Sequence, residues 1–293
     1  MFHRPDVALY CNAANAVFTF WPRIARVPVA LNVNGLERKR KKWNWLAKGW
    51  YRVSEWLATF CPNATVTDAQ NIAEYYIERY GKQSEFIPYG AETGKLESAE
   101  VLTPLGLEPG RYFLYVSRME PENNALLVRE AFERTSTPMN LALVGDAPYA
   151  QDYIERVKTT RDPRVLLPGA IYGREYHELL SHCFAYIHAT EVGGTHPALI
   201  EAMGRGALVL YLKTPENTEV AADAGIPFEA GQLAPRLNQA LAMTEAERAE
   251  WGSRAMARVT ERYSWNAVTD QYEALLLTLA KRRNPASRTD AGG

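Results

Sequence analysis

The stretch that decides the fold runs over residues 188–206 and reads HATEVGGTHPALIEAMGRG. The apolar run just before it, at residues 183–187, is typical of a buried strand. Residues 197–203 are typical of a helix that has proline in its first turn. A strand, a glycine loop and a helix start together present backbone N–H groups and a helix dipole to an anion. The stretch therefore predicts an anion-binding loop at residues 193–195, although glycine pairs also form turns that bind nothing.

Two ionisable side chains of this stretch are candidates for contact with a ligand. Glu201 falls one turn inside the predicted helix, where a carboxylate can accept hydrogen bonds from a ribose or sugar diol. The alternative is a solvated helix residue. His188 ends the predicted strand, and the pattern leaves two interpretations open. It either hydrogen-bonds a donor hydroxyl or is a core histidine whose bonds are satisfied within the protein.

The composition bounds the class of protein. At 293 residues the chain is long enough for two domains, and 47% hydrophobic with 23% charged residues is typical of a globular protein. A net charge of −1 gives no reason to expect nucleic acid as a partner. Cys11, Cys61 and Cys183 show neither disulfide nor metal-ligand spacing, which indicates no metal site and a cytoplasmic location. No apolar run approaches the roughly 18 residues that cross a bilayer.

Apolar patterning in the second half alternates between strands and helices, which predicts parallel βαβ units in a doubly wound sheet. Shorter strands and helices are predicted in the first half, and two long helices close the chain. In such sheets ligands bind outside the carboxyl ends of the strands. Polar signals follow four of the predicted strands of the second half: Arg118, the pair Gly145 and Asp146, His188 with the glycine loop, and residues 214–219. Their convergence on one edge predicts a nucleotide-type site.

Eight short motifs in both halves of the chain occur together in one known family. They are YVSR at 115–118, EPENN at 120–124, LVGD at 143–146, VGGT at 192–195, EAM at 201–203, PENTEV at 215–220, NVNGLE at 32–37 and FIPYG at 86–90. In combination they make the chain, over residues 7–272, resemble glycosyltransferase family four. The closer likeness is to its rhamnosyltransferase-like subgroup of bacterial polysaccharide biosynthesis. This resemblance implies an α/β fold of the GT-B type, with two Rossmann-like domains.

The resemblance also implies an activity and a site. The activity is transfer of a sugar, rhamnose in the subgroup, from a dTDP- or UDP-linked donor to a polysaccharide or polyprenol-linked acceptor, with retention at the anomeric carbon. No cofactor and no catalytic metal are implied. Arg118 would face the diphosphate, Glu201 the ribose, and His188 the sugar. Further substrate contacts are expected from Gly193, Gly194, Thr195, His196, Asn123, Asn124, Gly145, Asn217, Glu219 and Asn34.

The domain boundaries follow from the loss of periodicity between residues 92 and 109. We expect a partial N-terminal, acceptor-side domain at 1–95 and a nucleotide-sugar-binding domain at 96–265. A C-terminal helix at 266–283 is expected to pack on the N-terminal domain, and a disordered tail at 284–293 follows. Members of the family begin with further strands and a Gly-Gly loop, so the N-terminal domain is expected to be incomplete. The chain is then a fragment of a longer protein or a shortened product.

Three departures from the family pattern bear on activity. Gly193 stands where the usual motif has its first glutamate, as it also does in the subgroup. Asn123 replaces a lysine, and Asn34 replaces an aspartate that could act as a base. Two alternatives stay open beside the transferase, and the expected lack of the N-terminal Gly-Gly loop favours the first of them. One is a catalytically impaired GT-B protein that binds a nucleotide or a partner, and the other is a GT-B epimerase or phosphorylase.

A charge run and a helix in the first half predict a peripheral membrane contact through residues 38–52. Residues 38–42 read RKRKK and adjoin an amphipathic helix, and basic residues beside aromatic ones suit an anionic bilayer surface. The apolar stripe of that helix is expected to pack on the sheet, and Trp45 is expected to be exposed because it lies off the stripe. The stripe consists of Trp43, Trp50, Val53, Leu57 and Phe60. Contact at the inner face of the membrane is the implied location.

Overall fold

The computed structural model describes residues 4–40 and 43–283. The predicted disordered tail at 284–293, like Lys41 and Lys42 of the charge run, lies outside the described residues. The chain divides into two compact units. The first unit comprises Met1–Tyr89, Val192–Thr195 and Asn266–Gly293, and the second comprises Gly90–Glu191 and His196–Trp265. The division falls at residues 89 and 90, six residues before the boundary expected from the sequence.

The first unit is built on a sheet of four parallel strands in the order β1-β2-β3-β4. Strand β2 is buried along its whole length, and Leu31 at its centre packs with Ile72 and Tyr76 of helix α3. The residue before α3 is Ala69, which has an extended backbone and makes no side-chain cap. The elements are β1 Ala8–Cys11, α1 Phe20–Ile24, β2 Val29–Asn32, α2 Trp45–Leu57, β3 Ala64–Thr67, α3 Gln70–Tyr80 and β4 Glu85–Phe86.

Helix α2 is oriented differently from the sequence-based expectation. Its buried residues are Tyr51, Ser54 and Glu55, whereas most of its apolar stripe faces outward. The prediction that this stripe packs on the sheet is therefore wrong, although Trp45 is 79% exposed as expected. Side chains of α2 and the turn after it that are 46–60% exposed are Leu46, Trp50, Val53, Trp56 and Phe60.

A polar network explains this orientation. The Glu55 carboxylate, only 2% exposed, accepts a hydrogen bond from Arg38 Nε at 2.9 Å and another from the Tyr75 hydroxyl at 2.9 Å. Arg38 in turn donates from Nη2 to the Tyr75 hydroxyl at 2.9 Å. A buried carboxylate requires such partners, and hydrophobic periodicity takes no account of them. The face of α2 that carries Glu55 is therefore the buried one.

The second unit contains a six-stranded parallel sheet in the order β10-β9-β8-β5-β6-β7. Its strands are β5 Tyr112–Val116, β6 Asn140–Val144, β7 Val165–Gly169, β8 Ala185–His188, β9 Val209–Leu212 and β10 Ile226–Phe228. The helices between them are α4 Ala125–Glu133, α5 Gln151–Lys158, α6 Gly173–His182, α7 Pro197–Gly204 and α8 Pro215–Ala221, and α9 Leu233–Leu241 follows β10. The chain runs outward from β5 to β7 and then returns to place β8 on the other side of β5. The strand order therefore reverses between β5 and β8, and this is the position where open α/β sheets bind ligands.

Two long helices, α10 Glu245–Arg262 and α11 Trp265–Arg283, follow the second sheet. Thr244 caps α10 and exchanges hydrogen bonds with Glu247, which is the reciprocal pair of a capping box. In the first unit, Val268 of α11 packs with Val66 and Ile87. The three elements that the patterning missed, α8, β10 and α9, have three to nine residues each, and two of them are too short to show a period.

Glu55→Ala tests the network that orients α2. Removing the carboxylate leaves the Arg38 guanidinium without its charge partner, so the free energy of unfolding should fall by about 3 kcal/mol. Urea unfolding followed by far-ultraviolet circular dichroism measures this loss. Glu78→Ala, on the exposed side of α3, is the matched control and should change the free energy by less than about 0.5 kcal/mol. Equal effects of the two substitutions would contradict the assigned role of Glu55.

Candidate functional site

The carboxyl edge of the second sheet brings together several of the predicted site residues. His188 is the last residue of β8, and Arg118 follows the end of β5 by two residues. Strands β5 and β8 are neighbours, with Tyr115 paired to Ile187. Both side chains therefore lie at the position where the strand order reverses. The sequence analysis placed both residues at the carboxyl edge of the sheet.

His188 and His196 form a pair at this edge. Their ring centroids are 5.0 Å apart, and the Tyr186 ring stacks on His188 with a centroid distance of 6.2 Å. His188 is only 3% exposed, and its Nε2 is a buried atom with no hydrogen-bond partner within the described protein. Burial, together with the neighbouring His196 ring, lowers the pKa of His188 well below its usual range, although Asn217 acts in the opposite direction. The ring is therefore neutral at ordinary pH.

Asn217 holds the pair in place. Its side chain is fully buried, and its Nδ2 donates to the backbone oxygens of Thr190 at 3.0 Å and Leu212 at 2.9 Å. Its Oδ1 is therefore the acceptor that lies 2.8 Å from His196 Nδ1. This assigns the Nδ1–H proton to His196 and leaves Nε2 of that ring as an acceptor when the ring is neutral. Asn217 was expected to contact substrate, and in the structure it positions His196.

Arg118 is paired but accessible. Its Nη2 lies 3.5 Å from Glu120 Oε2, and 48% of the arginine side chain is exposed while Glu120 is buried. The Tyr149 hydroxyl donates to Glu120 Oε1 at 2.6 Å, and burial and this carboxylate raise the pKa of Tyr149. Glu120 therefore orients the guanidinium and leaves part of it available. An arginine held in this way can give two parallel hydrogen bonds to a phosphate group.

Asn123 and Asn124 stabilise the loops of the edge. Asn123 is 2% exposed, and its Nδ2 donates to the backbone oxygen of Arg118 at 2.7 Å. Asn124 has a positive φ of 63° and donates to Ala189 O and Glu191 Oε1, both at 2.9 Å. These bonds connect the loop after β5 to the loop after β8. In the structure the two asparagines therefore shape the edge.

Gly145 and Glu219 both make contacts that involve backbone atoms of the second unit. Gly145 has a φ of 142°, and a side chain there would overlap the backbone oxygen of Ser117. This close approach requires glycine at the end of β6. Glu219 is half-buried on α8, and its backbone oxygen accepts hydrogen bonds from Arg258 and Tyr263 of the α10 region. In these contacts both residues serve the architecture of the second unit.

Glu201 lines a cavity of about 400 Å³ in the second unit. Its Oε2 accepts a hydrogen bond from the Tyr176 hydroxyl at 2.8 Å. Burial first, and Glu201 in part, raise the pKa of Tyr186, the residue whose ring stacks on His188. The carboxylate is therefore held by α6 and placed near the central strand β8. The cavity is also lined by Ala91, Glu92, Leu96, Gly173, Arg174, His177, Arg205 and Trp265.

The glycine loop belongs to the first unit, where it packs against the ends of β2 and β3. The Thr195 hydroxyl donates to the backbone oxygen of Asp68. A Cβ on Gly35 would lie 2.5 Å from Gly194 N and 2.6 Å from Gly193 C, so this contact requires glycine at position 35. The Thr195 hydroxyl was expected to lie toward a ligand, but the structure uses it to fix the loop.

Asn34 lies at the same end of β2. It has a positive φ of 54°, its backbone N–H donates to Asn32 Oδ1 at 2.8 Å, and its own Oδ1 accepts from the Tyr89 hydroxyl at 3.4 Å. The first unit thus brings Asn34 together with the glycine loop. Within residues 4–40 and 43–283, no three His, Cys, Asp or Glu side chains are grouped closely enough to hold a metal ion. None of the helices described there has the length and apolarity to cross a membrane.

Sequence reasoning missed three residues of these groups. Tyr176 holds Glu201, and nothing in its local pattern distinguishes it from other tyrosines on an amphipathic helix. Glu120 lies inside the EPENN motif, so its position was noted but its pairing with Arg118 was not. Tyr149 interacts with both Glu120 and Arg118, and its own sequence context does not point to either. Contacts between side chains that lie far apart in sequence have no periodic signal.

Comparison with solved structures shows the fold. The structure of Anabaena HepE in complex with UDP and glucose has a TM-score of 0.80 at 19% identity, over 92% of this chain and 78% of HepE. Sucrose-phosphate synthase from Thermosynechococcus elongatus gives 0.75 at 19% identity, over 92% and 73%. A glycosyltransferase from Rickettsia africae gives 0.63 at 16% identity, over 92% and 81%. The chain has the α/β fold with parallel sheets of GT-B glycosyltransferases.

Two family models add to this class assignment. Residues 110–247 match the model for glycosyl transferases group 1, and residues 6–92 match a domain of unknown function, DUF1972. No match is found among curated proteins. The first match contains all six strands of the second sheet, together with Arg118, His188 and Glu201. The second unit thus carries a glycosyltransferase group 1 domain, and with the fold this supports a GT-B glycosyltransferase.

The neutral state of His188 has a consequence for stability. The native ring stays neutral, whereas the unfolded chain takes up a proton below about pH 6.5. The free energy of unfolding should therefore fall as pH drops below that value, by about 1.4 kcal/mol per pH unit from this residue, until the native pKa is reached. Urea unfolding of wild type and His188→Gln between about pH 7.5 and about pH 5 measures the difference.

His188→Gln should lack this part of the slope, because glutamine does not titrate. Glu175→Gln, an exposed position on α6, is the control for a substitution that leaves His188 in place. A wild-type slope in His188→Gln would mean that His188 is protonated in the native protein.

Proposed function

We propose that this protein is a retaining glycosyltransferase that moves a sugar from a nucleoside diphosphate donor to a polysaccharide or lipid-linked acceptor. The observation that carries the proposal is the group 1 glycosyltransferase domain at residues 110–247, whose sheet edge presents Arg118 and a neutral His188. Retention and rhamnose as the sugar are proposed from the resemblance of the motifs to family four. No separate cofactor is proposed.

The proposed donor is UDP- or dTDP-linked. HepE structures contain UDP, glucose or UDP-glucose, which supports a nucleotide sugar as the donor of this chain. When the sugar leaves, negative charge develops on the diphosphate, and a fixed cation stabilises that transition state. Arg118 supplies the cation, and its bond to Glu120 keeps the guanidinium oriented before the donor binds. Catalysis then requires little reorganisation of the arginine.

Glu201 and His188 are proposed to bind the two ends of the donor. The Glu201 carboxylate accepts hydrogen bonds from the ribose hydroxyls, and Tyr176 holds it in position. Nε2 of His188 forms a hydrogen bond with a sugar hydroxyl, because it is a buried polar atom with no protein partner among the described residues. Since its pKa is lowered, His188 acts as a neutral hydrogen-bonding group and not as a cationic acid.

A second candidate is a catalytically impaired GT-B protein that binds a nucleotide or a partner. Asn123, which stands where the family has a lysine, is buried and bonded to the backbone of Arg118. It therefore supplies no charge to the diphosphate, and one cation fewer is available for turnover. Binding of UDP or dTDP without transfer or hydrolysis of any donor sugar would favour this candidate.

The proposed location is the cytoplasm, at the inner face of the membrane, with contact through residues 38–52. A polyprenol-linked acceptor stays in the bilayer, so a transferase that uses one must work at its surface. Trp45 is 79% exposed at the start of α2, and Lys48 and Arg52 on the same helix are cationic. Exposed aromatic and basic side chains on one helix are typical of interfacial binding.

Arg118→Ala tests the site of charge stabilisation. Transfer or hydrolysis rates are measured with a panel of UDP- and dTDP-sugars, and the product anomer is identified by NMR. Loss of the guanidinium should remove about 2 to 4 kcal/mol of transition-state stabilisation, and kcat/KM should fall by the corresponding factor. Arg111→Ala is the control and should leave the rate unchanged. Arg111 is exposed and directly precedes the first residue of β5, whereas Arg118 follows its last. Equal rates for Arg118→Ala and wild type would refute the role of Arg118, and an inverted product would refute retention.

Glu201→Ala tests the ribose contact. A hydrogen bond to a carboxylate contributes about 1.5 to 3 kcal/mol, so the affinity for UDP or dTDP should fall by roughly 10- to 150-fold. Isothermal titration calorimetry measures the affinity directly. Glu175→Ala, an exposed carboxylate on α6, should bind as wild type does. If Glu201→Ala folds and binds the nucleotide with unchanged affinity, Glu201 is not a ribose ligand.

A further inference from the structure

The first unit exposes a large aromatic surface that the proposed transfer reaction does not use. It is formed by α1, the turn before it, α2 and the turn after it, and we call it the aromatic face. Helix α2 contacts the turn before α1, and exposed apolar side chains grouped on neighbouring elements mark interaction sites. Its members, between 46% and 79% exposed, are Phe18, Phe20, Trp21, Ile24, Trp45, Leu46, Trp50, Val53, Trp56 and Phe60.

The same segment of chain is strongly basic. Residues 11–60 contain nine lysines and arginines but only two carboxylates, in a protein whose net charge is −1. Both carboxylates are used within the protein, because Glu37 pairs with Arg40 at 2.8 Å and Glu55 pairs with Arg38 at 2.9 Å. The segment that carries the aromatic face therefore carries a large excess of positive charge.

A cavity of about 360 Å³ in the first unit is lined by four arginines, and we call it the arginine pocket. The arginines are Arg4, Arg23, Arg26 and Arg282, all with exposed side chains. Among the described residues that line the pocket, no aspartate or glutamate offsets their charge. Asn63 also lines it; its Oδ1 accepts from Val29 N at 2.9 Å, which leaves its NH₂ group for a ligand. Such a set of donors fits the oxygens of a phosphate group.

The arginine pocket borders the aromatic face. Arg23 belongs to α1, and its Nη1 donates to the backbone oxygens of Phe60 and Cys61. Phe60 packs edge-on against Trp56, with ring centroids 4.7 Å apart. Trp21 and Ile24, on either side of Arg23 in α1, are 68% and 60% exposed. One short helix thus contributes both to the apolar surface and to the cationic pocket.

The pocket lies at the opposite edge of the first sheet from the glycine loop. Val27, Pro28 and Asn63 line it and come just before β2 and β3, whereas Asn34 and Asp68 come just after the same strands. Strands of four residues are roughly 13 Å long, which separates the two edges. The arginine pocket is therefore distinct from the residues that the sequence analysis assigned to substrate.

We propose that the arginine pocket binds the phosphate group of an anionic phospholipid, while the aromatic face enters the lipid interface beside it. The proposal deepens the membrane contact proposed above and does not depend on sugar transfer. A phosphodiester headgroup brings a negative charge to the arginines, and its acyl chains extend into the layer that Trp21 and its neighbours enter. The arginine pocket alone would fit any phosphate, and the aromatic face alone would fit any apolar partner. Together they match a lipid, which has an anionic headgroup next to acyl chains.

The test is co-sedimentation of the full chain with vesicles of phosphatidylglycerol and phosphatidylcholine in equal parts, and with vesicles of phosphatidylcholine alone. The wild type should bind the first and not the second. Arg26→Gln/Arg282→Gln removes two pocket charges that make no hydrogen bond to the described protein, and it should weaken binding roughly tenfold or more. Arg79→Gln/Arg111→Gln removes the same net charge elsewhere and should weaken binding less than about threefold.

A further variant, a competing anion and a light-scattering measurement distinguish a lipid from a free anion and from a second copy of the chain. Trp21→Ala should also weaken vesicle binding, whereas inorganic pyrophosphate alone should compete only weakly because it lacks the apolar part. If both double variants lose vesicle binding equally, net charge alone explains the binding, and the assignment of the arginine pocket to a lipid phosphate is wrong. Full competition by pyrophosphate would make it a site for a free anion. A dimer in light scattering together with no vesicle binding would assign the aromatic face to a second copy, and either result overturns the proposal.

One measurement separates this proposal from the proposed function. UDP or dTDP affinity, measured by calorimetry, should be the same in Arg26→Gln/Arg282→Gln as in wild type. If the pocket variant loses vesicle binding and keeps nucleotide affinity, the lipid site stands whether or not transfer is observed. If it loses nucleotide affinity as well, the pocket is part of the donor site and the lipid assignment is wrong.

Discussion

The hydrogen bonds of one buried amide hold the edge of the second sheet together. Asn217 donates to the loop after β8 and to the end of β9, and it accepts from His196 just before α7. Each of these bonds replaces one that water would otherwise supply, so losing the amide would take one hydrogen bond from each of the Thr190 carbonyl, the Leu212 carbonyl and the His196 ring. The position of His196, and through it the environment of His188, depends on this residue. An aspartate of the same shape could not donate to the two carbonyls.

Alternating strands and helices made the second sheet predictable. The run at residues 183–187 agrees with β8 Ala185–His188, because parallel strands buried on both faces read as continuous apolar runs. The convergence of Arg118 and His188 followed from the same rule, since parallel strands end at one edge. Asn123 and Asn217 were identified as site residues, but their function as internal supports depends on contacts that no local pattern shows.

The first unit was harder to predict for a related reason. The face of α2 richest in tryptophan was expected to be its inner face, and the structure turns Glu55 inward instead. A carboxylate paired with Arg38 and Tyr75 satisfies its bonds within the protein, and these bonds offset part of the cost of burying its charge. Partners 17 and 20 residues away decide this orientation. Periodicity describes a single helix and takes no account of such partners.

The outward orientation of α2 also determines which spectroscopic signal follows unfolding of the protein in solution. Five of the seven tryptophans lie in the first unit, and Trp21, Trp45, Trp50 and Trp56 are all between 46% and 79% exposed. Indole emission is therefore already that of a solvated ring before the chain unfolds, and it should shift little on denaturation. The second sheet, by contrast, encloses Tyr112, Tyr115, Tyr186 and Tyr211. Near-ultraviolet absorbance of these phenols, and not tryptophan fluorescence, is the signal that follows the loss of that core.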